Sequence, residues 1–466
     1  MIFSSYKFIF LFFPIVILGT ALCRKAKNVN FLKVWLIAAS LYFYGSGNMK
    51  FLPILFLTAI FNFGISRGLV TSDNKPLRAG LLALGVLENL GLLFYFKYRN
   101  FFFENVNLVF GTDIIMKNII LPLGISFYTF QILSYVFDCY TGDAKKYGFA
   151  DYMLFVTFFP QLIVGPVVTH DEIIPQFTSD NLLKTDKNNI IAAIIYFSIG
   201  CAKKILLADP LIDFATSFYG GNIAMNFINS WTAVLAYTFA YYFDFSGYID
   251  MALGLGLFFN IKLPQNFNSP YKSRNFADFW RRWNITVSRF LNDNIFKRIF
   301  KFGNGMIKLI FATLITFIVS GIWHGAGWHY IAWGIVNGIF VSIANVMTVK
   351  RKKLPFPIAW TLTFFFSILV RVLFDANGLL QAMAVYKTMF TFNGEILYGI
   401  RAFFADNIKV IFVIFISAFI CFFCKNTQEM LEDFKPKPVH AIFCGAILAA
   451  SLFYIGSVSQ FLYFQF

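Results

Sequence analysis

The chain has 466 residues, of which 58% are hydrophobic, 20% aromatic and only 13% charged, whereas a soluble chain carries about a quarter charged residues. Its formal net charge of +16 suggests nucleic acid at first sight, but the basic residues sit in short loops between apolar runs, where the positive-inside rule and anionic headgroups account for them. The composition therefore excludes a soluble enzyme and a nucleic-acid binder, and predicts an all-α polytopic membrane protein in contact with lipid.

Apolar runs of about 15–20 residues, the length that crosses or enters a bilayer, fall near 8–22, 34–44, 51–65, 81–96, 119–136, 152–168, 190–207, 231–259, 309–323, 328–347, 358–374, 410–423 and 441–454. They predict one integral membrane domain over 1–466, with N-terminal helices in 1–118, a core in 119–350 and C-terminal helices in 351–466. Several runs are too short or interrupted to span squarely, so tilted, broken or re-entrant helices are expected. The first run resembles a signal peptide, yet no small-residue cleavage site follows and further spans come at once, which predicts a retained first helix. Cys23 follows Leu22, not the small residue that a lipid-modified cysteine needs. Arg24, Lys25 and Lys27 place the first loop in the cytoplasm and the N-terminus outside. Residues 100–117, after the boundary Lys97-Tyr98-Arg99, are aromatic and less regular, as an interfacial segment would be.

Pro122 and Gly124 open a helix in which Ser126, Gln131, Ser134 and Asp138 set polar groups inside an apolar run. Such groups face a cavity or bond a neighbouring helix, and both readings stand. In Phe159-Pro-Gln-Leu-Ile-Val-Gly-Pro166, two prolines and a glycine exclude a straight helix and predict a broken one lining a cavity. Gln161 joins Gln131 as a candidate lining residue. Residues 169–189 read as a surface loop, with His170 solvated or interfacial. Asp244 and Asp250 lie in an aromatic segment, where a carboxylate needs a partner or water. Arg281, Arg282 and Lys203 are candidate partners, and the two aspartates are expected to be structural anchors.

Residues 262–301 hold nine basic residues against two acidic ones, Asp278 and Asp293. Apolar spacing over 276–300 predicts one amphipathic helix at, or dipping into, the membrane. It is suited to anchoring on anionic lipid, or to holding the phosphates of a coenzyme or carrier prosthetic group. Trp280, Arg281, Arg282, Trp283, Ser288 and Asp293 are its candidate donor-binding or tunnel-lining residues, joined by Trp323 and Tyr242. The run 309–323 then delivers His324, with Gly321 and Gly325 letting a neighbouring helix approach closely. An imidazole there can take a proton near neutral pH. The six cysteines lie in or beside apolar runs. Cys421 and Cys424 form a C-x-x-C among phenylalanines with no second ligand pair, so packing is expected and no metal.

These segments resemble the membrane-bound O-acyltransferase family, in particular its bacterial branch that acetylates alginate and peptidoglycan. The matching motifs are Pro122-Leu-Gly-Ile-Ser-Phe-Tyr-Thr-Phe-Gln131, Phe159-Pro-Gln-Leu-Ile-Val-Gly-Pro166, Tyr242-Phe-Asp-Phe-Ser-Gly-Tyr-Ile-Asp-Met251, Phe279-Trp-Arg-Arg-Trp283, Ser320-Gly-Ile-Trp-His-Gly-Ala-Gly-Trp328 and the terminal Phe461-Leu-Tyr-Phe-Gln-Phe466. The resemblance implies a ring of tilted and broken helices around a central funnel or tunnel. It also implies that His324 is catalytic and that the site is completed by residue 284, histidine in many bacterial members but Asn284 here. Two further departures are Asn337, where a second His-Gly often stands, and Asp375, where many members carry arginine. The implied activity moves an acyl group, acetyl first, from a cytoplasmic thioester to hydroxyls of a cell-surface polysaccharide. No cofactor is bound permanently; acyl-CoA, acetyl-CoA first, is the donor substrate. His324 would act as general base or carry the acyl group itself, and Asn284 would orient it or steady an oxyanion. An extracytoplasmic acyltransferase partner and the bacterial inner membrane are implied as well. Rival readings are D-alanyl transfer to teichoic acid from a carrier protein, a glycan or lipid transporter, whose broken helices and intramembrane carboxylates would look alike, and a non-catalytic scaffold.

Overall fold

A computed structural model of the chain describes residues 1–301, 303, 305–391, 403–404, 406–432, 434–455 and 462. Among them the regular elements are helices, with no strand. In chain order these are α1 (Phe13–Lys25), α2 (Val29–Gly45), α3 (Leu52–Thr71), α4 (Lys75–Leu93), α5 (Arg99–Phe110), α6 (Ile125–Thr141), α7 (Phe149–Thr157), α8 (Phe159–Leu162), α9 (His170–Thr178), α10 (Lys187–Ala202), α11 (Asp209–Tyr219), α12 (Phe227–Phe258), α13 (Phe276–Arg282), α14 (Ile285–Leu291), α15 (Lys297–Ile299), α16 (Met306–His324), α17 (Trp328–Val349), α18 (Phe356–Asp375), α19 (Leu379–Phe390), α20 (Ile408–Phe423), α21 (Thr427–Leu431) and α22 (Pro438–Tyr454). Seven stretches are long and apolar enough to cross a membrane: Lys7–Lys25, Met49–Thr71, Lys75–Phe110, Lys187–Tyr219, Met306–His324, Trp328–Val349 and Phe356–Asp375. The shorter α20 exposes Phe412, Phe415, Phe419 and Phe423 at helical spacing, a stripe that hydrocarbon solvates and water does not.

The chain falls into two compact units that interleave along the sequence. One is built from Met1–Ile199, Tyr248–Pro264 and His440–Gly445, and the other from Gly200–Gly247, Gln265–Val439 and the described residues after Gly445. Neither coincides with the segments 1–118, 119–350 or 351–466.

In the first unit the expected helix break lies between α7 and α8, where Phe158 takes φ −52°, ψ 111°. The turn sends the Phe159 amide to the Ser40 hydroxyl at 3.0 Å, so the Phe155 carbonyl loses the i+4 donor it would meet in a continuous helix. Gln161 Nε2 donates to that carbonyl at 2.7 Å, and Gln131 Nε2 donates to it as well. Both amides are thus engaged in the break itself. The helix that Pro122 and Gly124 were expected to open begins at Ile125, because Gly124 turns left-handed at φ 73°. One expectation for this unit is corrected. Residues 170–178 form α9, not a loop: Thr169 and Glu172 make a capping box, and the acidic residues that suggested a solvated loop are its first turn. His170 is buried there, with Nδ1 3.1 Å from the Tyr147 hydroxyl and Nε2 3.3 Å from Asp138 Oδ2.

In the second unit Asp244 on α12 pairs with Lys204 at 2.6 Å, and the same ammonium reaches Asp209 at 2.7 Å. The Leu462 amide donates to Asp244 Oδ2 at 2.9 Å; the rest of the 461–466 motif lies outside the described residues. Asp244 is therefore an anchor, though not through the expected partners. Neighbouring residues on a helical turn point about 100° apart, so Lys203 reaches Thr427 instead, while Arg282 pairs with Asp278 at 2.9 Å. The single amphipathic helix expected over 276–300 is also corrected. α13 stops at Arg282, Asn284 adopts φ 45°, ψ 54°, and α14 restarts at Ile285 before a π-helical turn at Asn292–Phe296. The α16–α17 hairpin closes backbone to backbone: a Cβ added at Gly321 would lie 2.4 Å from the Tyr330 carbonyl oxygen, and one at Gly334 2.4 Å from that of Phe317.

Candidate active site

All the geometry that follows belongs to the second unit. His324 is the last residue of α16 and is 7% exposed. The rings of Trp323, Trp333 and Phe374 stand edge-on to the imidazole at centroid distances of 4.8, 5.0 and 5.1 Å, an arrangement that fixes its plane.

Two cavities open on this histidine. The larger, about 580 Å³, is walled by α13, α14, α16 and α17, with Arg281, Asn284, Ser288 and Arg289 on one side and Thr313, Thr316, Ser320 and Asn345 on the other. The smaller, about 40 Å³, is a chamber of aromatic rings that includes Tyr241, Tyr271, Trp283 and Phe374. His324 and Trp280 are the two residues common to both linings. The Trp280 indole is held by a 3.1 Å bond from Nε1 to Asn337 Oδ1, while Asn337 Nδ2 donates to the Trp333 carbonyl at 2.9 Å.

Asn284 joins α13 to α14 in the left-handed region, which asparagine tolerates better than most residues. Its side chain does not cap α14. Asn266, fully buried, does so: its Oδ1 accepts from the Thr286 amide and hydroxyl, both at 3.0 Å. The Asn266 carbonyl also accepts from the Ile285 amide at 3.0 Å. Asn266 Nδ2 then donates to Asn284 Oδ1 at 3.1 Å.

Arg371, one turn before Asp375 on α18, lines the small chamber. Nε donates to Asp375 Oδ2 at 2.9 Å and Nη2 lies 2.6 Å from Oδ1 as an ion pair, and the guanidinium lies 3.6 Å from the Tyr241 ring centroid. Asp375 is thereby neutralised where it is buried. Among the described residues, no group of three or more His, Cys, Asp or Glu is placed to hold a metal ion, and no disulfide joins the six cysteines.

The profile of the MBOAT, membrane-bound O-acyltransferase family, matches residues 86–383. The chain belongs to this family. It is 36% identical, over its full length and 98% of the relative, to the peptidoglycan O-acetyltransferase of Helicobacter pylori. To the Pseudomonas putida protein named probable alginate O-acetylase AlgI it is 32% identical, over 94% of the chain and 90% of the relative. The teichoic acid D-alanyltransferase of Streptococcus thermophilus is 29% identical over 50% of the chain and 59% of that protein. The protein is an O-acyltransferase and a multi-pass protein of the bacterial inner membrane.

Within this O-acyltransferase the residues singled out by sequence divide clearly. His324, Asn284, Trp280, Arg281 and Ser288 share the large cavity, and Trp283 lines the small one. Trp323 packs on the imidazole, and Tyr242 sits behind the chamber against the rings of Tyr271 and Trp283 at 5.5 and 6.2 Å. Arg282 lines neither cavity, and Asp293 is taken by Lys297 at 2.7 Å on the surface. Gln131 and Gln161 belong to the first unit. Sequence reasoning missed Asn266, Arg371 and the stripe Thr313, Thr316, Ser320 that leads to His324. The stripe was detectable: spacings of three, four and four put all of them on one helix face. Asn266 carried no such signal, since its partners lie 18 and 20 residues away.

Proposed function

We propose that this O-acyltransferase moves an acetyl group from acetyl-CoA, a cytoplasmic thioester, toward hydroxyls of a cell-wall polysaccharide, peptidoglycan first, and that an extracytoplasmic transferase completes the delivery. The observation that carries this reading is the position of His324 on the wall shared by two cavities of unequal size. The large cavity takes the thioester arm, and its Arg281 and Arg289 suit an anionic donor. The aromatic chamber leads to the acceptor. Neutral His324 takes the proton from the acceptor hydroxyl as its oxygen attacks the thioester carbonyl. The tetrahedral intermediate collapses with loss of the thiolate, which takes the proton back from the imidazolium and leaves as free thiol. Base catalysis of this kind is worth about 10²–10⁴ in rate. Asn284 offers N–H groups to the oxyanion that forms between the two steps.

The acetyl group rests on the names of both the Helicobacter pylori and the Pseudomonas putida relatives and the peptidoglycan acceptor on that of the first; the D-alanyltransferase covers half of the chain. His324→Ala is expected to abolish O-acetyl esters of the cell wall, measured by mass spectrometry of isolated peptidoglycan, at unchanged protein abundance in the membrane. Ester content equal to wild type would end the reading.

A further inference from the structure

The hydrogen bonds around Asn284 decide which end of its amide meets the substrate. The Thr286 backbone N–H is a donor and nothing else, so the Asn266 atom that receives it is the oxygen. That fixes the other Asn266 atom as Nδ2, and the Asn284 atom it touches as Oδ1. Asn284, which lines the large cavity beside His324, therefore has its oxygen tied to Asn266 and its two N–H groups to offer. We infer that Asn266 is the positioning residue of the reaction: a fully buried amide that holds Asn284 with its N–H groups toward the cavity. This makes Asn284 a hydrogen-bond donor, through Nδ2, to the acyl oxygen. The inference rests on the reading of His324 and the large cavity given above.

The test is Asn266→Asp in the full-length protein, assayed in membranes by acetyl transfer from acetyl-CoA to peptidoglycan across a pH series. The ionised carboxylate still accepts from Thr286, so α14 keeps its cap. Its second oxygen, however, repels Asn284 Oδ1, and the Asn284 amide turns over to present oxygen to the substrate. When the carboxyl is protonated, its O–H donates to Asn284 Oδ1 as the amide did, and the native orientation returns. The ratio of variant to wild-type rate should therefore fall as pH rises, by about 10²–10³ at full ionisation, the usual effect of losing one oxyanion donor. The loss belongs in kcat, with KM for acetyl-CoA little changed. The charged groups that share the cavity with Asn284 are Arg281, Arg289 and His324, and they are the same residues in both proteins.

Asn284→Asp supplies a second measurement. It keeps the bond from Asn266 but places an oxygen where the N–H groups were, and should be folded and as inactive as ionised Asn266→Asp. A pH-independent ratio, whether near one or uniformly low with reduced abundance, would overturn the inference, as would an active Asn284→Asp. If His324→Ala itself retains transfer, the functional reading has failed. If that variant is dead while Asn266→Asp follows wild type at every pH, only the amide orientation has failed.

Discussion

At the scale of single residues, two positions separate conformation from chemistry. Asn284 sits at φ 45°, where an L-residue with a Cβ but no local hydrogen bonding is strained by about 1–2 kcal/mol. Asn284→Gly and Asn284→Ala both delete the amide, but only alanine carries that strain. Transfer is expected to fall to the same low level in both, while thermal unfolding in detergent, followed by tryptophan fluorescence, shows a lower midpoint for alanine than for glycine, since both also strand the Asn266 donor. Equal midpoints would mean that the turn is not under conformational control. The Arg371–Asp375 pair gives the second case. Removing one partner of a buried pair costs about 3–5 kcal/mol, because the other charge is stranded, whereas replacing both with apolar groups is often neutral. Arg371→Met should unfold at markedly lower temperature than wild type, and Arg371→Met/Asp375→Leu should recover most of the loss. A double variant no more stable than the single one would show that the pair is not what holds α18 at this point.

Among the helices, close approach decides where His324 stands. A Cβ at Gly334 would meet the Phe317 carbonyl 2.4 Å away, which is backbone and cannot step aside, whereas at Gly338 the nearest atoms are Leu314 Cδ2 at 3.1 Å and Leu314 Cα and Phe317 Cβ at 3.3 Å, which need shift only a few tenths of an ångström. Gly334→Ala should therefore spread α16 from α17, displace the imidazole and lose both stability and transfer. Gly338→Ala, one turn along, should change either only slightly. Similar behaviour of the two variants would count against a backbone-to-backbone crossing. The break between α7 and α8 makes a matching prediction for the first unit. Gln131→Leu or Gln161→Leu alone leaves the Phe155 carbonyl one donor, but together they strand it at a cost of about 1–3 kcal/mol. The stability loss of the double variant, measured by thermal unfolding, should exceed the sum of the single losses. The sequence announced this break through Pro160, because proline acts locally. It did not show that Gln131 and Gln161 answer the break, because that pairing joins α6 to α7 across 24 residues. The break at Asn284 was hidden for a related reason: one left-handed residue hardly disturbs an apolar period averaged over 25 positions.

For the molecule as a whole, the helical class, the membrane location and the family were legible, since each is written in composition or in contiguous motifs. The partition of Trp280 and His324 between two cavities was not, because it depends on α13, α16, α17 and α18 meeting in space. That partition can be tested without touching the histidine. Asn345 lines only the large cavity and Ser367 only the chamber. A phenylalanine at 345 occupies part of a space of about 580 Å³ that the donor is proposed to fill, so it competes with the thioester and should raise KM for acetyl-CoA while kcat stays near wild type. At 367 a phenylalanine has only about 40 Å³ to enter, closes the chamber and should leave acetyl-CoA binding intact while transfer to the acceptor drops. In a protein with one continuous site, both substitutions would change the same kinetic constant. The split between them, read from acetyl-CoA titrations of each variant in membranes, therefore decides whether His324 works between two routes or at the end of one.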